Sequence, residues 1–102
     1  MIRKNEMEKI NYFCKQNELI VEEEFISVKH TDNETSRHLF NLKKDGKIIV
    51  NFEKRTQYDF DNDTIGVIWV TIEDDGDAKF IDTLYSTLIY LKQVIDNVAE
   101  KN

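Results

Sequence analysis

Proline is absent from this 102-residue chain, and glycine occurs only three times. Such a composition excludes collagen-like, proline-rich and flexible glycine–serine architectures. Three glycines also leave no phosphate-binding loop, which needs several at fixed spacing. The single cysteine, Cys14, excludes an internal disulfide and gives no sign of an oxidising compartment. No segment approaches the roughly 20 consecutive apolar residues that span a bilayer. Basic residues near the N-terminus have no apolar run behind them, so a cytoplasmic location is the expectation.

The most informative absence is local. Residues 56–78 contain no lysine or arginine, yet they carry Asp59, Asp61, Asp63, Glu73, Asp74, Asp75 and Asp77. Acids and bases nearly balance elsewhere, so the net charge of −6 arises in this segment. Clustered charge of one sign makes a local field, which acts on association and partner choice rather than on fold. An acidic chain is repelled by phosphates, which argues against direct nucleic-acid contact.

What is present points to a folded single domain over residues 1–102. The apolar fraction is 40% and the aromatic fraction 11%, too rich for a disordered acidic tail. The pattern predicts a helix over 6–16, with Asn5 as cap, Glu8 reaching back, and Met7, Ile10, Phe13 and Cys14 on one face. Asn17 is expected to end it in the left-handed conformation. A strand over 19–30 follows, interrupted by Glu22-Glu23-Glu24, where a bulge or an edge position is expected. Phe40 and Leu42 then share a face of one strand, and Ile48, Val50 and Phe52 a face of the next. A three-residue loop, Lys44-Asp45-Gly46, pairs Leu42 with Ile48 and Phe40 with Val50. Residues 56–60 alternate again and either extend that strand or form a short one.

A strand over 65–72 is the clearest in the chain, with Ile68, Val70 and Ile72 on one side and Val67 and Trp69 on the other. A helix over 78–99, capped by Asp77, carries an unusually wide apolar stripe from Phe80 to Val98. Such a stripe touches a sheet and something else, either the first helix or a second copy of the chain. The expected fold is α+β: an antiparallel meander of four or five strands flanked by N- and C-terminal helices, one of which covers the Phe40/Val50/Val70 face.

Candidate chemistry is sparse. Asp59-x-Asp61-x-Asp63 copies the start of a calcium loop, but Thr64 and Val70 stand where glycine and a bidentate glutamate are required. His30 and His38 flank a loop without a third metal ligand. Asp45-Gly46-Lys47 and Asp77-Ala78-Lys79 have a nuclease-like spacing, but sit at a hairpin tip and a helix cap rather than on strands that present metal ligands. Cys14 lies on an apolar helix face and reads as a buried, inert thiol. No catalytic residue, metal site or cofactor is therefore assigned.

The expectation is a small, acidic, non-enzymatic interaction protein, for instance an inhibitor or immunity-type protein. Its carboxylates at Asp59, Asp61, Asp63, Glu73, Asp74, Asp75 and Asp77 meet a basic, nucleic-acid-binding partner surface. Trp69, with Leu39, Ile49 and Val67, is expected on the sheet face away from the helices, as a binding patch or homodimer interface. The acidic turns lie at opposite ends of the Trp69 strand, roughly 25 Å apart. The alternative is a small-ligand or metal-binding module using a pocket between the sheet and the C-terminal helix, with Tyr58, Tyr85 and Tyr90 as polar handles.

Overall fold

The computed structural model describes residues 2–31, 33–59, 64–72 and 76–100. In chain order its elements are α1 (Lys4–Gln16), β1 (Ile20–Lys29), β2 (Glu34–Lys44), β3 (Lys47–Tyr58), β4 (Thr64–Ile72), β5 (Ala78–Ile81) and α2 (Leu84–Glu100). The strands form one antiparallel five-stranded sheet in the order β1-β2-β3-β4-β5, a meander with a helix at each end of the sequence. Among the described residues, no helix is long and apolar enough to cross a membrane.

The first helix begins two residues earlier than its apolar spacing indicates. Arg3 rather than Asn5 is the N-cap, and its backbone N–H donates to Glu6 Oε1 at 2.8 Å. At the other end Asn17 stays near φ −105°, and Glu18 takes the left-handed conformation at φ 57°. Asn17 instead donates its side-chain amide to the Phe13 carbonyl at 2.8 Å. The i, i+3, i+7 face is as read: Ile10 and Cys14 are buried.

Strand β1 lies at the sheet edge and pairs with β2 in unbroken register, so the three glutamates need no bulge. Alternation carries Glu22 and Glu24 to one side and Glu23 to the other. Glu22 accepts from Lys43 and Glu23 contacts His38, each at 2.9 Å. The β2–β3 hairpin departs from the expected three-residue loop. Lys44 pairs with Lys47 around a two-residue Asp45-Gly46 turn with both φ values positive, 54° and 79°. That is the turn whose twist suits a tight hairpin. A register shift beyond Leu42 then places Leu42 against Val50 and Phe40 against Phe52, keeping all four on one face.

The sides of β4 are the reverse of those expected. Lys54 pairs with Trp69 and Phe52 with Thr71, which puts Trp69 on the helix-covered face with Phe40, Phe52, Leu42 and Val50. Val70 is buried on the opposite face, beside Glu53 and Phe80. A register shift at Gln57/Tyr58 sets this parity, and a one-residue slip turns every side chain to the other side. Residues 78–81 are also not helical. They form β5, pairing Val70 with Phe80 and Ile72 with Ala78. Helix α2 starts after Thr83, whose Oγ1 accepts from the Ser86 N–H at 3.1 Å as an N-cap.

The core therefore lies between one sheet face and the two helices, built from Ile10, Cys14 and Leu19, from Leu84 and Leu91, and from the sheet residues above. An aromatic ladder crosses it: Phe25 meets His38 edge-on, His38 stacks on Phe40 at 4.6 Å, and Phe40 on Phe52 at 4.9 Å. Phe52 in turn tilts against Trp69. The molecule measures 48 × 30 × 24 Å, and Phe25 at the far end of the ladder remains exposed.

Candidate functional site

Trp69 has only 2% of its surface exposed and packs beside the aliphatic and charged end of Lys54, whose ammonium lies 5.5 Å from the ring centroid. Lys54 is itself buried and pairs with Glu6 at 2.6 Å, tying α1 to the sheet. Trp69 is thus a core residue and cannot supply the exposed patch expected of it. Leu39 lies on the other face, opposite Glu53.

Of the acidic segment, Asp61, Asp63, Glu73, Asp74 and Asp75 lie outside the described residues. Asp59 follows β3 and Asp77 precedes β5, so they sit toward opposite ends of β4, whose length is about 27 Å at ~3.3 Å per residue. Both residues take part in interactions with other groups. Among the described residues no group of three His, Cys, Asp or Glu side chains is placed to hold a metal ion. His38 contacts Glu23, and His30 contacts Thr35 Oγ1 at 3.3 Å. Lys79 of the second nuclease-like triplet lies in β5, not at a helix cap, and rests its ammonium 4.0 Å from the Tyr90 ring centroid. Burial pushes the Cys14 thiol up to about 11, in keeping with an inert core cysteine.

The sheet face away from the helices carries a feature that residue spacing alone does not disclose. Glu53, 4% exposed, accepts four hydrogen bonds from two arginines. Arg37 donates through Nε and Nη2 at 2.8 and 3.0 Å, and Arg55 through Nε and Nη2 at 2.9 and 2.6 Å. Burial by itself would raise the Glu53 pKa, but the hydrogen bonds and charges of Arg37 and Arg55 outweigh it and hold the carboxyl below its ordinary 4.5. The Arg55 guanidinium also lies 6.0 Å from the ring centroid of exposed Phe80. Every hydrogen bond accepted by Glu53 here comes from its own sheet, so this cluster reads as a structural clasp across β2 and β3.

A groove of about 750 Å³ lies between α1 and α2. Tyr12 and Phe13 form the apolar part of its α1 wall, beside Glu8, Lys9 and Gln16, and Tyr85, Leu88 and Ile89 that of its α2 wall, beside Lys92 and Gln93. Tyr85 is 75% exposed, Tyr12 65% and Ile89 44%, so the groove is open, with an apolar floor and a polar rim. Its origin is the wide stripe of α2. Leu84 and Leu91 are buried in the core while Tyr85 and Ile89, one and two positions away, are left over. Lys92 closes one end by donating to Asn17 Oδ1 at 2.9 Å and pairing with Asp96 at 3.1 Å. A second, smaller cavity of about 220 Å³ opens where α2 crosses the ends of β3 and β4.

Comparison of the chain with known protein families, with curated proteins and with solved structures finds no match to any of them.

Proposed function

We propose that this protein is a non-enzymatic interaction module and that the α1–α2 groove is its contact surface. The observation that carries this reading is the partly exposed apolar cluster of Tyr12, Phe13, Tyr85, Leu88 and Ile89 in an open channel with a polar rim. Large aromatic side chains held on rigid helices are the residue types that anchor interfaces, and a groove between helices suits the apolar side of an amphipathic helix. The partner's helix carries basic residues beside its apolar side. The chain's net charge of −6 supports this, because an acidic surface accelerates encounter with a cationic one and repels a second acidic copy. A protein whose own working surface is cationic, of the kind an inhibitor or immunity protein blocks, meets both requirements. In this reading the carboxylates around Asp59 and Asp77 steer the encounter, and the helices hold the partner.

The test compares immobilised wild-type protein with a Tyr85→Ser/Ile89→Ser variant in capturing a partner from the source cell, with capture repeated on the purified partner. Both substituted side chains are exposed, so the melting temperature should stay within a few degrees of wild type. The double variant should weaken binding by at least about tenfold. Raising salt should slow association with both proteins while leaving their ratio unchanged. A variant that folds normally and binds as tightly as wild type overturns the proposal. So does light scattering that shows the wild-type protein as a dimer and the double variant as a monomer.

A further inference from the structure

The second cavity arises from a fork in the sheet. The β3–β4 ladder ends at Phe52 and Thr71. Beyond that pair β3 continues only alongside β2, through Val50 and Ile48, while Ile72 pairs only with Ala78 of β5. The register shift after Leu42 places one extra β3 residue, Ile49, in this stretch, and a bulge of that kind bends a strand away from its neighbour. Helix α2 crosses above the gap with Tyr90, Leu91 and Val94.

The chamber so formed has a mixed lining. Ile49, Val50, Leu91 and Val94 supply apolar walls, and Asn51, Thr71 and Tyr90 supply polar groups. Ile48 and Ile72 stand at its mouth with about half of their surface exposed, which gives an entry path. One of the polar groups is anomalous. Thr71 Oγ1 is buried and has no hydrogen-bond partner, and Thr71 as a whole is 2% exposed. Buried polar atoms nearly always find a partner, and an orphaned one is costly, so this one calls for an explanation. Asn51 Oδ1 is also unpartnered, but Asn51 stands between the core-facing Val50 and Phe52 and so turns to the sheet face away from α2. Thr71 lies on the α2 side, opposite Phe52, and can turn its hydroxyl towards the chamber by exchanging it with its methyl about χ1.

We infer that the β3–β4 fork beneath α2 binds a small, uncharged molecule with an apolar body and a hydrogen-bond donor, of the class of primary amides and aromatic alcohols. The donor meets Thr71 Oγ1, and the body lies against Leu91, Val94 and Val50. The volume matches about seven waters at ~30 Å³ each, which suits one fragment-sized ligand and is below the ~300 Å³ usual for larger ones. No ionised side chain belongs to the lining, so a charged ligand would lose hydration without gaining a counter-charge. Lys79, opposite Thr71 on β5, rests on the Tyr90 ring and is not part of the lining. This site is separate from the α1–α2 groove and does not depend on it.

Titration of isotope-labelled full-length protein with benzamide, followed by NMR, tests the inference. Saturable shifts should appear at residues 48–51, 71–72 and 90–94, with a dissociation constant of order 1 mM for so small a probe. Thr71→Val keeps the shape and removes the orphaned oxygen, so it should leave the melting temperature unchanged or raised while weakening benzamide about 5- to 10-fold. Benzoate should produce no saturable shift. The inference is overturned if benzamide gives no saturable shift, or if shifts appear only around Tyr12, Tyr85 and Ile89. Equal binding of benzamide by Thr71→Val, or of benzoate by wild type, contradicts the assigned chemistry and overturns it as well.

Discussion

At the scale of single residues, the molecule separates charges that hold the fold from charges that face outwards. Glu53 belongs to the first kind, since its carboxyl is buried and held by Arg37 and Arg55. Its pKa in the folded protein lies below the ordinary 4.5, so folding is favoured by the ionised form. The stabilisation is fully present above pH 4.5 and is lost as pH falls through the depressed folded value. Chemical unfolding followed between pH 6 and pH 3 should show stability declining on the acid side. Glu53→Gln should be less stable at pH 7 by about 1–3 kcal/mol, because two partly exposed guanidiniums lose the negative charge and one of two acceptor oxygens. That variant should also show a shallower acid decline, and a decline as steep as wild type would place the acid sensitivity elsewhere. Cys14 was legible from its position on an apolar helix face. Trp69 was not, because an apolar residue between two other apolar residues on a strand gives no clue to which side is covered. Glu53 was equally hidden: only the pairing of Arg37 with Arg55 and of Leu39 with Glu53 reveals that one carboxylate serves two arginines.

At the scale of elements, local signals succeeded where one interpretation dominated and failed where two were balanced. The strand over 65–72 and the face of α1 follow directly from apolar spacing. The start of α2 does not, because Ile81, Leu84, Leu88 and Leu91 continue a helical spacing back through β5 and both Asp77 and Thr83 are capping residues. Tertiary pairing decides it: β4 acquires a partner along residues 69–72, and Phe80 is left on the open face. Thr83 is therefore the residue that separates strand from helix. Thr83→Ala should cost about 1 kcal/mol, within the 0.5–2 kcal/mol usual for a lost cap, read as a lower denaturant midpoint. Asp77→Ala should leave the helix intact. A larger loss at Asp77 than at Thr83 would restore the helix start implied by the sequence. The hairpin differs, since a two-residue Asp45-Gly46 loop in plain register would set Leu42 against Ile49 and Phe40 against Asn51, so apolar matching favours three residues. The observed loop combines the shorter turn with a register shift, a solution with no separate sequence signal.

At the scale of the whole molecule, acidity and apolarity occupy different places. The described ends of the acidic segment lie toward opposite ends of β4, and the apolar surplus lies between α1 and α2. Charge spread in this way steers association over a Debye length of roughly 8–10 Å without forming one concentrated site. The wide stripe of α2 was legible as a surplus in need of a partner, but the division between core and groove depends on where α1 lies. Helix α1 takes up part of the stripe and leaves Tyr85 and Ile89 beside Tyr12. The central claim is that this groove, rather than the sheet face or the acidic ends, holds the partner. Hydrogen exchange of the purified complex, compared with the free protein, tests it most directly. The account predicts slowed exchange in residues 5–17 and 85–93 with the sheet unchanged. Protection confined to Arg37, Arg55 and Phe80 or to the ends of β4, with both helices exchanging as in the free protein, would contradict it.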